Sequence, residues 1–359
     1  MRQVADPPAK TRALRTTDFD YELPVELIAQ NPLLRRDDSR LMVLDRYSGV
    51  IQHSAFKSLG DWVVPGDLFV ANNTRVIPAR LLGVRLGTGG GVEILLLRRN
   101  DAGVWSALAK PAKRLKPGDR LQFASRITGN KPATAVVEEN LGDGELRLRF
   151  DERAEERLDD LGELPIPPYI KSVPEDTTRY QTVYATVPGS AAAPTAGMHF
   201  TPSFIDTLLE QGFEWAEITL HVGLDTFRPV TADIVADHLI HQEWCEVPVG
   251  TAEAIAACRG RGNRVIAIGT TVARTLETLG QRRRQDDPVS FAGFTDTFIV
   301  PGHQWKLVDA LLTNFHLPRS TLLMLVSALA GREAILEAYA EAIRTRYRFY
   351  SFGDAMLIR

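Results

Sequence analysis

The sequence predicts an α/β (mixed α+β) protein, in which a small antiparallel β-barrel is inserted into a larger domain. The first observation is the segment 77–150, where about six short apolar runs are separated by turns rich in Gly or Pro-Gly. This spacing is typical of antiparallel strands in a barrel or sandwich. The second observation concerns the flanking segments, in which strand-like runs such as 68–70 and 265–268 alternate with helical patterns.

The same changes of pattern predict the domain boundaries. Residues 18–76 and 151–359 are expected to form one discontinuous α/β domain, and residues 77–150 the inserted β-barrel domain. Residues 1–17 are polar, contain prolines and lack the apolar core of a secretory signal. They are expected to be a flexible N-terminal extension.

The composition excludes several classes of protein. The 359 residues are 44% apolar and 24% charged with a net charge of −3, which argues against a disordered chain. The longest strongly apolar run, 322–329, is too short to cross a bilayer, and two cysteines without a CxxC arrangement suit a reducing compartment. The sequence has no Walker loop, no GxGxxG after a strand, no GxSxG and no HExxH. We therefore expect a cytoplasmic protein that is not a usual kinase, dehydrogenase or serine hydrolase.

The stretch 194–201 (PTAGMHFT) combines small residues, a histidine and the start of a helix. Thr201 and Pro202 have the pattern of an N-cap and a first helical position, and Gly212 ends the apolar repeat that follows. The helix N-terminus would lie beside His199, where free N–H groups and the helix dipole favour an anionic ligand. The alternative is a helix entry whose histidine only packs or caps.

Three further loops follow predicted strands, where α/β folds commonly bind ligands. The loop 72–75 (NNTR) offers amides, a hydroxyl and a guanidinium, and the loop 221–227 (HVGLDTF) offers a histidine, a glycine and an acid. The loop 269–271 (GTT) opens a helix that contains Arg274. An Asx-turn and an ordinary βα turn are the alternatives for the first and third loops.

Three other stretches carry polar or aromatic patterns, and two of them, 238–243 and 347–354, have two interpretations each. The stretch 238–243 (HLIHQE) would place two imidazoles on one face of a predicted helix near a carboxylate, as part of a metal site or as packing. The stretch 314–321 (NFHLPRST) precedes a helix expected over 321–346, and another helix is expected over 305–312. The stretch 347–354 (YRFYSFGD) has the pattern of nucleobase stacking and phosphate binding, and equally that of an aromatic core strand.

Together these stretches resemble one family, the S-adenosylmethionine:tRNA ribosyltransferase-isomerases of queuosine biosynthesis. Ordered matches to the family pattern lie at 18–24, 72–80, 179–185, 192–201, 219–223, 268–271, 274–277, 313–318 and 353–358. The chain departs from that pattern at Met198, 224–225, 244–245 and 303–305. None of these departures removes a polar group that we expect to be essential.

The resemblance implies a reaction in which S-adenosylmethionine, as a co-substrate, donates its ribosyl group. The acceptor would be 7-aminomethyl-7-deazaguanine at the wobble position of tRNA, and the products epoxyqueuosine-tRNA, adenine and methionine. A base would remove the proton beside the sulfonium to give an ylide, which opens the ribose and expels adenine. The amine of the modified base would then add, and an oxyanion would close the epoxide as methionine leaves. No prosthetic group and no metal are implied, and we expect a monomer.

These steps need a base with a pKa near neutral, a proton donor for the departing adenine, and cations that hold carboxylate and phosphate groups. We expect His199 or His221 to carry the proton transfers, with Arg274 as a third catalytic residue. The expected substrate-binding residues are Asn72, Asn73, Thr74, Arg75, Thr195, Gly197, Phe200, Gly223, Thr226, Phe227, Gly269, Thr270, Thr271, Asn314, His316, Arg319, Tyr350 and Asp354. In this set the amides at 72–73 and the Thr270 hydroxyl are expected to read bases, and the arginines to hold anions.

Two other classes of function stay open at this point. The first is a non-catalytic RNA-binding module that would bind tRNA and release no adenine. The second is a metal-dependent hydrolase built on His238, His241 and Glu243, which a chelator would inactivate. The sequence leaves open which residue is the base, which is the acid, and which surface contacts tRNA.

Overall fold

The computed structural model describes residues 13–151, 155–167, 169–171, 176–223, 230–282 and 290–359. Over these ranges the larger of two main sheets has nine strands. From one edge to the other they are β16 (Phe291–Thr295), β14 (Glu243–Val247), β13 (Glu214–Leu220), β3 (Leu68–Asn72), β15 (Val265–Ile268), β17 (Ala310–Asn314), β18 (Ala355–Ile358), β1 (Arg40–Leu44) and β2 (Ile51–Ala55). Strands β13, β3, β15 and β17 are parallel neighbours, so their carboxyl ends meet at one edge of the sheet.

The centre of this sheet is buried on both faces. Leu68 and Val70 of β3 pack into one hydrophobic cluster, whereas Phe69 and Ala71 pack into another on the opposite face. A strand covered on both sides is apolar at every position, which explains the continuous run that the sequence shows here. The two clusters fix the sheet, and thereby the loops at its carboxyl edge.

The second sheet closes into a barrel of six antiparallel strands. They are β5 (Arg80–Arg85), β6 (Gly91–Asp101), β7 (Val104–Lys110), β10 (Glu145–Phe150), β9 (Ala133–Gly142) and β8 (Arg120–Phe123), and β5 pairs again with β8. The short β11 (Gly162–Glu163) extends β5. Closure leaves few unpaired edges, and the interior is apolar, with Leu146 and Leu148 fully buried. The predicted fold class, a mixed domain with a small antiparallel barrel, is confirmed, while the exact boundaries at 77 and 150 stay a prediction.

A two-stranded parallel sheet joins the two parts, formed by β4 (Thr74–Val76) and β12 (Val187–Ser190). The α-helices are α1 (Leu158–Leu161), α2 (Pro202–Glu210), α3 (Val249–Gly260), α4 (Thr270–Arg282), α5 (Thr321–Ala330) and α6 (Arg332–Arg344). Short 3₁₀ helices span Thr16–Phe19, Val25–Leu27, Arg36–Asp38, Phe56–Trp62, Ala112–Arg114, Glu155–Arg157, Thr177–Tyr180, Thr195–His199 and Val235–Asp237. Helix α2 begins as predicted, because the Thr201 side chain accepts a hydrogen bond from Phe204 N at 3.2 Å.

Three predicted helices differ from the structure. The helix expected over 321–346 is two helices, because Gly331 adopts a φ of +87° between α5 and α6. The helix expected over 305–312 is wrong, since β17 begins at Ala310 and all five of its residues are buried, a pattern that fits a helix and a central strand equally. The helix expected around 238–243 is wrong as well, because β14 begins at Glu243.

The N-terminal segment is held more firmly than the sequence indicates. Residues 1–12 lie outside the described ranges, but Thr16, assigned to the flexible extension, is buried and its backbone N–H donates to Asp233 O at 3.0 Å. Arg15 forms an isolated antiparallel bridge with Ile234. Among the helices of the described ranges, none combines the length and the apolar character that a membrane span requires.

Candidate active site

Four of the predicted loops meet at the carboxyl edge of the parallel strands. Asn72 ends β3, His221 directly follows β13, Gly269 directly follows β15 and Asn314 ends β17. The 3₁₀ turn Thr195–His199 packs against this edge through the Thr195 hydroxyl, which donates to Asn314 Oδ1 at 3.2 Å. The structure thus brings together the loops singled out in the sequence.

The two asparagines after β3 bind protein groups on β13. Asn72 is fully buried; its amide nitrogen donates to Leu220 O and its amide oxygen accepts from Leu220 N, each at 3.0 Å. Asn73 donates to Glu217 Oε2 at 3.1 Å and accepts from the Thr219 hydroxyl at 2.7 Å. These amides therefore hold two neighbouring strand ends in register, which differs from the expected reading of bases.

His221 presents one ring nitrogen to a cavity. Its Nδ1 lies 2.8 Å from Thr74 Oγ1, and its ring stacks on Trp244 at 5.2 Å and 21°. Its Nε2 has no hydrogen-bond partner among the described residues and lies beside Gly189, where an added Cβ would come within 2.7 Å. Burial lowers the pKa of His221 to about 4. At neutral pH the imidazole is uncharged and holds a lone pair that a substrate can reach.

The cavity beside His221 lies between the large sheet and the barrel and has a volume of about 870 Å³. This is within the range of pockets that bind small molecules. Arg98 of the barrel lies 5.0 Å above the Phe294 ring of β16, so the two parts touch at the rim. The charged residues that line this cavity are Arg75, Arg98, Arg99, Glu145, Glu156, Asp159 and Glu243.

A buried ion pair supports the wall of this large cavity. Glu243 Oε2 accepts a hydrogen bond from Arg274, whereas Oε1 accepts one from Gly223 N at 2.9 Å and lies 3.3 Å from His241 Nε2. Burial alone would raise the pKa of the Glu243 carboxyl, but Arg274, His241 and the Gly223 N–H hold it at about 2. Arg274 also donates to Thr297 O at 3.2 Å and does not line the cavity. Its contacts position Glu243 and the loop that carries His221.

A second, smaller cavity of about 80 Å³ lies at the same sheet edge. The predicted residues Thr195, Gly269, Thr270, Thr271, Asn314, His316 and Tyr350 line it. Of these, Thr270 is the first residue of α4. Leu322, at the start of α5, also lines the cavity. Two helix N-termini at one cavity favour a negatively charged group. Val222 lines this cavity while His221 and Gly223 line the large one, so one loop contributes to both.

His199 is enclosed by protein. Its Nδ1 lies 2.8 Å from Ser39 Oγ, and its Nε2 accepts a hydrogen bond from Asn314 Nδ2 at 3.2 Å. Burial, and then the cations of Arg348 and Arg36, lower its pKa to about 3. Both ring nitrogens have partners, so His199 is placed to hold Asn314 rather than to exchange protons with a substrate.

His316 and Tyr350 line the small cavity as buried groups. His316 Nε2 lies 2.9 Å from Thr313 Oγ1, and burial lowers the pKa of His316 to about 3. The backbone oxygen of Tyr350 accepts from Asn314 Nδ2 at 3.1 Å. The Tyr350 ring packs on Tyr169 at 4.8 Å.

Asn72, Asn73, Thr74, His199 and Arg274 line neither of these two cavities, and four further predicted residues do not line them either. Arg319 is on the surface in an ion pair with Asp20, and Asp354 accepts from Arg40 N at 3.0 Å within the sheet region. Phe200 is fully buried in the core, and Gly197 packs so closely on the Tyr184 hydroxyl that a side chain would overlap it. Thr226 and Phe227, with Asp225, lie outside the described residues.

Comparisons with known proteins agree with this architecture. The model of the queuosine biosynthesis protein family matches residues 16–358. The chain belongs to this family. A protein of Staphylococcus saprophyticus named S-adenosylmethionine:tRNA ribosyltransferase-isomerase is 51% identical over 95% of this chain and 98% of its own. A protein of the same name from Carboxydothermus hydrogenoformans is 51% identical over 96% of this chain and 100% of its own.

A solved structure also resembles this member of the queuosine biosynthesis family. The crystal structure of an S-adenosylmethionine tRNA ribosyltransferase from Thermotoga maritima is 40% identical, with a TM-score of 0.55, over 95% of this chain and 100% of that one. The likeness therefore extends over the barrel and the large sheet together.

Some residues of this queuosine biosynthesis protein were not predicted as site residues. Trp244 was noticed only as a departure from the family pattern, and Gly189 carried no signal beyond its residue type. Ser39 and the pairing of Glu243 with Arg274 also carried none, because the partners are far apart in sequence. The structure also differs from the metal site considered for His238, His241 and Glu243. His241 and Glu243 are close to each other, but Glu243 is paired with Arg274. Within the described residues, no three or more His, Cys, Asp or Glu side chains are arranged to bind a metal.

Proposed function

We propose that this chain is an S-adenosylmethionine:tRNA ribosyltransferase-isomerase that acts on 7-aminomethyl-7-deazaguanine at the tRNA wobble position. The observation that carries the proposal is the group of relatives with this name, about half identical over nearly the whole chain. S-adenosylmethionine is a substrate here, and adenine, methionine and epoxyqueuosine-tRNA are the products. The enzyme acts as a monomer, which sedimentation velocity tests.

His221 is the base that removes the proton beside the sulfonium. Its Nδ1 is 2.8 Å from Thr74 Oγ1, so an Nδ1–H that donates to this oxygen leaves the lone pair on Nε2, which faces the cavity. With a pKa of about 4 the imidazole is neutral at pH 7 and can accept a proton, although a pKa nearer 7 would make it a stronger base. The ylide then expels adenine from the opened ribose, the amine of the modified base adds, and an oxyanion closes the epoxide as methionine leaves.

The two cavities divide the substrates between them. The large cavity accommodates the modified base and the ribose, since it is open and carries His221, Trp244 and Arg75 in its wall. The small cavity holds the methionine carboxylate, because the N-termini of α4 and α5 present positive dipole ends to it. The loop that begins at His221 contributes to both cavities. The carbon beside the sulfonium would therefore lie next to this loop, between the ribose and the methionine carboxylate.

The test is adenine release from S-adenosylmethionine, with and without tRNA that carries the aminomethyl-deazaguanine, in the presence of a chelator. The proposal expects release that depends on the modified tRNA and is unaffected by chelation. Tight tRNA binding without release would instead favour a non-catalytic RNA-binding protein. Loss of activity on chelation would favour a metal-dependent reaction.

A further inference from the structure

A third cavity, of about 30 Å³, lies next to the 3₁₀ turn that also serves the active site. The turn contributes Thr195 to the small active-site cavity and His199 to this one. Arg36, Ser39 and Arg179 also line it. The volume suffices for one or two water-sized atoms, which corresponds to the oxygens of one anionic group and excludes a whole S-adenosylmethionine molecule.

Two half-buried arginines, Arg36 and Arg179, line this third cavity, and a third, Arg348, lies close enough to the lining residue His199 to lower its pKa. Arg36 donates to the backbone oxygens of Gln181 and Arg179, and Arg179 donates to the backbone oxygen of Leu33. Arg348 donates to the backbone oxygen of Asn31, next to the cavity wall. Among the described residues, no carboxylate forms an ion pair with any of the three guanidinium groups. Asp354, close to Arg348 in sequence, pairs with Arg40 instead.

Two of the three arginines also retain unused donors. Arg179 Nε and Arg348 Nη1 are buried and have no hydrogen-bond partner within the described part of the chain. A buried donor without a partner costs free energy, and the positive charge of Arg179 disfavours that of Arg36. Burial, followed by the neighbouring Arg179, lowers the pKa of Arg36, and burial lowers that of Arg348. The carboxylates of Asp176 and Asp354 act in the opposite direction on the pKa of Arg36 and of Arg348, and the net shift is still downward. An anion in the cavity would lie between the charges of Arg36 and Arg179, which line it, and would reduce their mutual repulsion.

Ser39 adds a further donor for the same ligand. Asn314 Nδ2 donates to His199 Nε2 at 3.2 Å, so the ring proton is on His199 Nδ1. That proton is donated to Ser39 Oγ at 2.8 Å. The Ser39 hydroxyl hydrogen has no acceptor among the described residues and is available to a ligand in the cavity that Ser39 lines.

We propose that Arg36, Arg179, Arg348 and Ser39 form a site for a backbone phosphate of tRNA. Guanidinium groups bind phosphate through paired N–H donors, and a polynucleotide can present a single phosphate at the mouth of a cavity too small for a free ligand. This inference rests on the proposed function, since tRNA is the substrate there. The phosphate would be held against the turn that supports Asn314, and so beside the reacting groups.

The test measures the dissociation constant of an unmodified tRNA transcript at salt concentrations between about 50 and 300 mM. Each phosphate contact contributes about 0.7 to 0.9 to the slope of log affinity against log salt. We expect Arg36→Gln, Arg179→Gln and Arg348→Gln each to weaken binding several-fold and to make this slope shallower by up to about that amount, since all three act on one phosphate. Arg259→Gln is the matched control, because Arg259 also contacts a backbone oxygen and pairs with Asp309 at the opposite sheet edge.

Wild-type slopes in all three variants, with adenine release intact in the parent enzyme, would overturn the site and leave the proposed function standing. A raised KM for S-adenosylmethionine with an unchanged tRNA slope would assign the anion to the methionine carboxylate and overturn the phosphate site as well. Because the arginines also contact backbone oxygens, the Arg→Lys variants are measured beside them. Lysine keeps the charge, so the expected slope is close to the wild type's, whereas equally shallow slopes in the lysine and glutamine variants would overturn the phosphate contact as the cause of the change.

Discussion

Glu243→Gln tests whether the buried ion pair holds the active-site wall together. Glu243 and Arg274 pair with side chains that are 2% and 7% exposed, and the same carboxylate accepts the Gly223 N–H at 2.9 Å. A glutamine keeps the shape of the side chain and removes the charge. Arg274 is then left as a buried cation without its counter-ion.

The magnitude follows from the pKa of Glu243. The pKa falls from 4.5 in the unfolded chain to about 2 in the folded protein. At about 1.4 kcal/mol for each pH unit, the ionised carboxylate contributes about 3 kcal/mol to the free energy of unfolding. Removal of one partner of a buried pair generally costs about 3–5 kcal/mol. Since the folded-state pKa is the lower one, this contribution is fully present above pH 4.5 and is lost as the pH falls from 4.5 towards 2.

Urea denaturation at pH 7 and at pH 4 measures the free energy of unfolding of both proteins. We expect Glu243→Gln to lose about 3 kcal/mol at pH 7 and less at pH 4. The control is Glu214→Gln, whose pair with Arg261 is 2.6 Å long but 41% and 45% exposed, so its loss should stay below about 1 kcal/mol. A loss in Glu243→Gln no larger than the control's would refute the reasoning.

Three further predictions concern the base, its protonation and a helix cap. Gly189→Ala places a methyl group 2.7 Å from His221 Nε2 and should lower kcat about 10- to 100-fold; an unchanged kcat would contradict the position of His221. The pKa of His221 is lowered by burial to about 4, so kcat/KM should fall only as the pH drops through about 4, and an acid limb near 6.5 in the pH–rate profile would argue against this base. Ser320→Ala removes the hydroxyl that accepts from Leu323 N at 3.2 Å; calorimetry should show a loss of about 1 kcal/mol, and parental stability would mean that the cap is not used.

The sequence predicts the position of the site better than the roles of its residues. Loops after Leu68–Asn72 and Val265–Ile268 could be grouped because the ends of parallel strands share one edge of a sheet. The barrel could be predicted from the spacing of its turns, since hairpins are local structures. The helix over 305–312 failed because strand β17 is buried on both faces, and a fully apolar run does not distinguish the two structures.

The roles of individual site residues depend on burial and on contacts between residues far apart in the chain. His199 and His221 are equal candidates by residue type, but His199 has partners at both nitrogens while His221 keeps Nε2 open to the large cavity. Asn72 had the chemistry to read a base, yet its amide binds the backbone of β13. Contacts of this kind join residues far apart in the chain, and no local pattern records them.

Single-turnover adenine release by His221→Gln tests the central claim most directly. The account predicts a rate about 10²- to 10⁴-fold below the wild type's, with the affinity for S-adenosylmethionine retained. The control His53→Gln changes a half-exposed histidine on the edge strand β2 and should react at the wild-type rate. A rate for His221→Gln within a few-fold of the control's would contradict the assignment of the base and move the chemistry away from this cavity.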